Sequence, residues 1–105
     1  MKKDDLVFEI EKAYESSGYL KSYVEHHQKI IILGNGGSNS IASHICQDYT
    51  KQLGKQAFTF SDPSRLTCYI NDYGMANANS QFLKEFADKQ TLVILISSSG
   101  KHILQ

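Results

Sequence analysis

"KIIILGNGGSNSIASHICQDYTKQ", residues 29–52, runs from a buried strand through a glycine turn into a helix. "KIIIL" is too short for a helix and almost wholly apolar, which suits a strand covered on both faces, as in a parallel sheet. "GNGGS" supplies glycines where the chain must turn, allowing positive φ and close backbone approach. Ser38 is placed to cap the helix behind it through its side-chain oxygen. Ile41, Ala42, Ile45, Tyr49 and Leu53 then recur at helical spacing until Gly54 ends the run in the C′ position. His44 and Asp48 stand four residues apart on one side of that helix. A plain strand–turn–helix corner would use the same glycines, so the turn alone does not decide a function.

Outward from this segment the chain alternates helix and strand. Before it, Leu6, Ile10, Ala13, Leu20 and Val24 form a helical stripe over residues 4–27, with Ser17 filling the gap and Gly18 weakening the helix by about 1 kcal/mol relative to alanine. A kink is expected around Ser16–Gly18. After it, "KQAFTF" reads as a strand. In "SDPSRLTCYINDYG", Asp62 before Pro63 marks a turn with a short helical piece behind it. Phe82, Leu83, Phe86 and Ala87 mark a third helix. "TLVILI" is the clearest strand and runs straight into "SSSG", Ser97 to Gly100. The expected fold is α/β: an N-terminal helix, residues 1–28, followed by part of a doubly wound parallel sheet over residues 29–105. Such sheets usually have about five strands and only three are visible, so the reading is a partial domain, either truncated or completed by other chains. Alone it would leave an apolar strand edge and one sheet face uncovered.

Composition excludes several classes. Eleven basic and eleven acidic side chains cancel, leaving no electrostatic footprint for nucleic acid or an anionic membrane. No apolar run reaches the roughly 18 residues of a membrane span, and the charged start "MKKDDLVFEIEK" has no secretory pattern. Cys46 and Cys68 have no CxxC partner, which fits reduced structural thiols and a cytoplasmic protein.

In open α/β sheets ligands bind at the carboxyl ends of the strands, where turns and helix N-termini gather. "GNGGS" and "SSSG" both fall on that edge. Three hydroxyls and a glycine at a helix N-terminus suit a phosphate, through neutral donors, backbone N–H groups and the absence of bulk.

Taken in order and spacing, "GNGGSNSIASHICQDYTKQ", "SDPSRLTCYINDYG" and "TLVILISSSG" resemble the sugar isomerase (SIS) domain of the phosphoheptose isomerase family, over most of residues 1–100. The resemblance implies a flavodoxin-like SIS core and conversion of sedoheptulose 7-phosphate to heptose 7-phosphate for surface polysaccharides. It implies that Ser97, Ser98, Ser99 and Gly100 hold the phosphate, and that Asn35, Gly36, Gly37 and Ser38 line the sugar. Asp72 matches the aspartate of the family's ND-aromatic-G segment. His44 and Asp48 match a histidine and glutamate that ligate zinc, the acid also being implicated in proton transfer. The stripe on residues 6–24 has no obvious place on a three-strand half-sheet, so self-association through the N-terminal helix is expected, and the resemblance implies that the assembly is a homotetramer.

The chemistry is coherent. An aldose–ketose isomerase moves a proton between adjacent carbons through an enediol, which needs a base and a group polarising the oxygens. Three departures stand out. Asp48 is one methylene shorter than the family's glutamate. Lys101 and His102 replace an Asn-Ser step after the serine loop. The family's glutamine and histidine ligands on a late helix have no counterpart before Gln105. Residues 1–105 by themselves are therefore not expected to turn over sedoheptulose 7-phosphate at a useful rate. The alternative is a non-catalytic SIS module, a sugar-phosphate sensor or an adaptor like the relatives that bind the replication initiator. Those adaptors lack the acid that Asp48 keeps in shorter form. His26 and His27 are read as solvated or interfacial, and Tyr69 and Tyr73 as packing.

Overall fold

The computed structural model describes residues 18–97. Helix α1 covers residues 18–25, and β1, Lys29–Gly34, follows. Then come α2, Gly37–Leu53; β2, Gln56–Phe58; α3, Pro63–Tyr73; α4, Ala78–Phe86; and β3, Thr91–Ile96. The three strands form one parallel sheet in the order β2-β1-β3. Lys29 lies opposite both Gln56 and Thr91, so the strands start level.

The isoleucine run takes the central strand because it can bury both faces at once. Ile30 and Ile32 join Val24, Ala42 and Cys46 beneath α1 and α2. Ile31 and Leu33 point the other way, joining Phe60, Ala78 and Phe82 beneath α3 and α4. Every residue from Ile30 to Leu33 is essentially fully buried. Strand β3 is covered less well. Leu92, Ile94 and Ile96 pack on the α1/α2 side, whereas Val93 and Leu95 stay exposed on the other. Among the described residues β3 is an outer strand, so the uncovered edge expected from the sequence is present, whereas both sheet faces carry helices and the uncovered face shrinks to Val93 and Leu95.

Several expectations are corrected in detail. Ser38 does not cap α2: Gly36 takes the N-cap position at φ 56° and no side chain caps the helix. The turn places glycine there because a side chain at that φ would be strained. The apolar face of α2 centres on Ala42 and Cys46 with Ile45 and Tyr49 beside them, leaving Ile41 52% and Leu53 54% exposed. The helix does end as expected at Gly54, in the left-handed conformation, with its N–H donated to the Tyr49 carbonyl. Strand β2 is shorter than "KQAFTF", and α4 starts at Ala78, ahead of Phe82. Behind Asp62 stands a full helix of 11 residues rather than a short piece. Its start is well specified: Pro63 pre-sets the first helical φ, and the Asp62 carboxylate accepts the Arg65 N–H at 3.0 Å. Leu6, Ile10, Ala13 and Ser17 lie outside the described residues. The last member of their stripe, Val24, packs on the chain's own sheet, contrary to a stripe with no place there.

Gly34 joins strand to turn by close approach. A Cβ on it would stand 2.6 Å from the Ser38 carbonyl carbon and oxygen and 2.9 Å from the Asn39 nitrogen, all backbone atoms. Gly34→Ala should therefore push α2 off the strand end and cost about 1–3 kcal/mol, as overpacking does. A urea melt with an unchanged midpoint would show that the turn can shift freely.

Candidate functional site

The parallel sheet gathers the glycine turn and the start of the serine loop. Gly34 and Ile96 are register partners on neighbouring strands, so Asn35 and Ser97 are the next residues out on the same carboxyl edge. Adjacent strands lie about 4.8 Å apart, which sets the separation of the two loops at their roots. Ser97 is exposed; Ser98, Ser99, Gly100, Lys101 and His102 lie outside the described residues.

At this edge a recess of about 240 Å³ is lined by Gly36, Asn39, Ser40, Ser43 and Ser61. Asn39, Ser40 and Ser43 share one side of the first turns of α2. Ser61 arrives from the end of the β2 segment and its hydroxyl lies 3.2 Å from that of Ser43. The Oδ1 atom of Asn39 is buried and has no hydrogen-bond partner among the described residues. Reading the sequence missed these four side chains. Ser61 is distant in sequence from the other three, and only pairing of β1 with β2 brings it over. The usable signal was Asn39, Ser40 and Ser43 at helical spacing beside a carboxyl-edge turn. Some turn amides are already committed: the Ser38 N–H is given to the Asn35 carbonyl at 3.0 Å, and the Asn39 N–H to that of Gly36 at 3.0 Å.

His44 and Asp48 do meet. His44 Nε2 lies 3.3 Å from Asp48 Oδ2, with side chains 78% and 44% exposed. They continue the stripe of Ser40 along α2, about 10 and 16 Å beyond Gly37 at 1.5 Å per residue. The pair therefore stands on the open side of the helix, away from the turn. Asp72 sits near the end of α3, exposed. One carboxylate oxygen accepts from the Cys68 thiol at 3.5 Å, the other from the Asn71 amide at 3.5 Å. The hydrogen bond to Asp72, reinforced by its charge, pushes the Cys68 thiol up from its ordinary value. Cys46 is buried, and both cysteines are free.

The aromatic residues beside Asp72 behave as packing. Tyr69 meets Phe60 edge-on at 5.2 Å, and its hydroxyl donates to Glu85 on α4. Tyr73 meets Tyr69 edge-on at 5.7 Å. His26 and His27 close α1 instead of lining this edge, each with Nδ1 2.7 Å from a carbonyl one turn back, of Ser22 and Tyr23. No helix among the described residues is long and apolar enough to cross a membrane.

No family model matches the chain. Individual curated proteins do. A phosphoheptose isomerase of Fusobacterium nucleatum subsp. nucleatum is 37% identical over 78 residues, covering 70% of this chain and 40% of the relative. That of Cytophaga hutchinsonii is 32% identical over 91 residues, 82% of this chain and 48% of the relative. That of Helicobacter pylori is 36% identical over 90 residues, 78% and 47% respectively. The chain thus spans somewhat less than half the length of the curated relatives it matches.

Proposed function

The chain belongs to the phosphoheptose isomerase family, and from that premise we propose that its carboxyl edge forms the sugar-phosphate side of an isomerase acting on sedoheptulose 7-phosphate. The observation that carries this reading is the register of Gly34 with Ile96. It roots the glycine turn and the serine loop on adjacent strands, with a hydroxyl-rich recess beside them.

Each residue has a part that its chemistry supports. Ser97, Ser98, Ser99 and Gly100 take the phosphate through hydroxyls and backbone N–H groups. Asn35, Gly36, Gly37 and Ser38 shape the sugar end without bulk, and Asp72 accepts from a sugar hydroxyl. His44 and Asp48 form the proton-handling edge. Asp48 takes the proton from the carbon beside the carbonyl, and His44, within reach of the same carboxylate, holds that carboxylate in place and can share the proton. As that proton leaves, the carbonyl oxygen takes up a proton from water to give the enediol. The enediol collapses when Asp48 returns its proton to the neighbouring carbon and the other enediol hydroxyl releases its proton to water.

A zinc ion on this pair fits only in part. Imidazole nitrogen and carboxylate oxygen suit zinc, but no group of three or more metal-type side chains exists among the described residues. A third ligand would have to come from elsewhere. When bound there, zinc would polarise the sugar oxygens.

The exposure of His44, Asp48 and Ile41 on one side of α2 supports a site closed by protein outside the described residues. Helix α1 presents Tyr19, Leu20 and Tyr23 to solvent, which favours self-association, tetrameric on the family's pattern. Light scattering should then give a multimer at micromolar concentration; a well-folded monomer would refute the assembly. The phosphate reading is tested by calorimetry with sedoheptulose 7-phosphate. Ser99→Ala should weaken binding by about 1 kcal/mol, one hydrogen bond's worth. Unchanged affinity with the fold intact would discard the serine loop's role.

A further inference from the structure

A larger recess among the described residues lies at the opposite edge. About 630 Å³ in volume, it is lined by His26 and His27 at the end of α1, Gln28 and Lys29 entering β1, Gln56 opening β2, and Asp88, Lys89 and Gln90 leading into β3. Four chain segments converge there because the strands start level, and the volume falls in the range of small-molecule sites.

Its lining is rich in donors. The one carboxylate, Asp88, is already engaged. Oδ1 accepts the Gln90 N–H at 2.8 Å and the Thr91 hydroxyl at 3.1 Å, and Oδ2 lies 3.8 Å from Lys29 Nζ. The Gln90 N–H foremost, and then the Thr91 hydroxyl, hold the Asp88 carboxyl below its ordinary value, so it stays ionised and bound to these partners. Lys89 forms no ion pair among the described residues, and the side-chain amides of Gln56 and Gln90 make no hydrogen bond to them. Gln28 is partly committed, giving its amide to the Gly54 carbonyl at 2.8 Å. Both imidazoles use Nδ1 as donor to a carbonyl, which turns Nε2 to the other side of the ring. Lys29 and Lys89 against Asp88 leave one positive charge with the imidazoles neutral.

We infer that this amino-edge recess is a second ligand site, which binds the phosphate group of a small molecule between Lys89, Lys29 and the amides of Gln56 and Gln90. A phosphate matches the set because it offers several acceptor oxygens and the charge that the unpaired lysine lacks. The site stands on the edge opposite the glycine turn and is independent of the isomerase reading.

The test is a residue-resolved NMR titration of the 105-residue chain with inorganic phosphate, against sodium chloride at matched ionic strength. Saturable shifts should appear at the amides of Gln28, Gln56, Lys89 and Gln90. Lys89→Ala, at an exposed turn position, should weaken them about five- to tenfold, and Lys89→Glu should abolish them. A parallel titration with sedoheptulose 7-phosphate separates the sources: tighter binding than inorganic phosphate at these amides identifies an ester, and equal or weaker binding the free ion. Shifts that rise linearly without saturating, or that are indifferent to Lys89→Glu, would overturn the site. So would shifts confined to residues 35–40 and Ser97, an outcome that would leave the carboxyl-edge reading standing.

Discussion

Phe82→Ala lowers the stability of the domain by about 3–5 kcal/mol, the cost of deleting a large aromatic side chain from a packed core. Phe82 is fully buried, lies parallel to Phe60 at 4.4 Å, and contacts Phe86 at 4.8 Å. The edges of Phe58 and Tyr69 complete its surroundings, with centroids at 6.4 and 6.5 Å. These rings attach α3 and α4 to one face of the sheet, so a cavity here loosens the whole layer. Domains of this size are stable by only about 5–15 kcal/mol, so the variant should be largely unfolded in mild denaturant. Equilibrium urea unfolding followed by circular dichroism measures it. A loss under about 1 kcal/mol would mean that the aromatic layer is not what holds the helices.

The second large effect is on chemistry. In the natural polypeptide carrying this sequence, Asp48→Asn should reduce isomerisation of sedoheptulose 7-phosphate by about 10²–10⁴-fold, the usual contribution of a positioned acid–base group. Sugar-phosphate binding should be nearly unchanged, because Asp48→Asn removes the base while keeping the side chain's size and leaving the phosphate loop untouched. Asp48→Glu should keep or raise turnover, since the extra methylene extends the carboxylate's reach. Coupled detection of heptose 7-phosphate, with and without added zinc, reads all three proteins. Full activity in Asp48→Asn would move the proton transfer to another residue and favour a role in binding for this helix.

How far the sequence could be read depended on whether neighbours along the chain or across the fold decide a feature. The buried strand Ile30–Leu33 was legible because only a two-sided parallel strand can use four consecutive large apolar residues. The stop at Gly54 and the start at Asp62–Pro63 were legible because each is a local backbone requirement. The outward placement of Ile41 and Leu53 was not. Their spacing fits the apolar stripe, but the rotation of α2 is set by how closely Ala42 and Cys46 let it approach β1. Ser38 looked like a cap, yet the positive φ available at Gly36 lets the helix begin two residues earlier. In the candidate site, the His44–Asp48 contact follows from helical spacing and was visible beforehand. The recess of Asn39, Ser40, Ser43 and Ser61 depends on strand pairing and was not.

The central claim is that the carboxyl edge of this sheet receives a phosphorylated sugar. The most direct measurement is a residue-resolved NMR titration of the chain with sedoheptulose 7-phosphate. Saturable shifts are expected at the amides of Asn35, Gly36, Gly37, Ser38 and Ser97, whatever happens at the opposite edge. Amides that stay silent at all five positions while the ligand saturates elsewhere, or does not bind at all, would contradict the account.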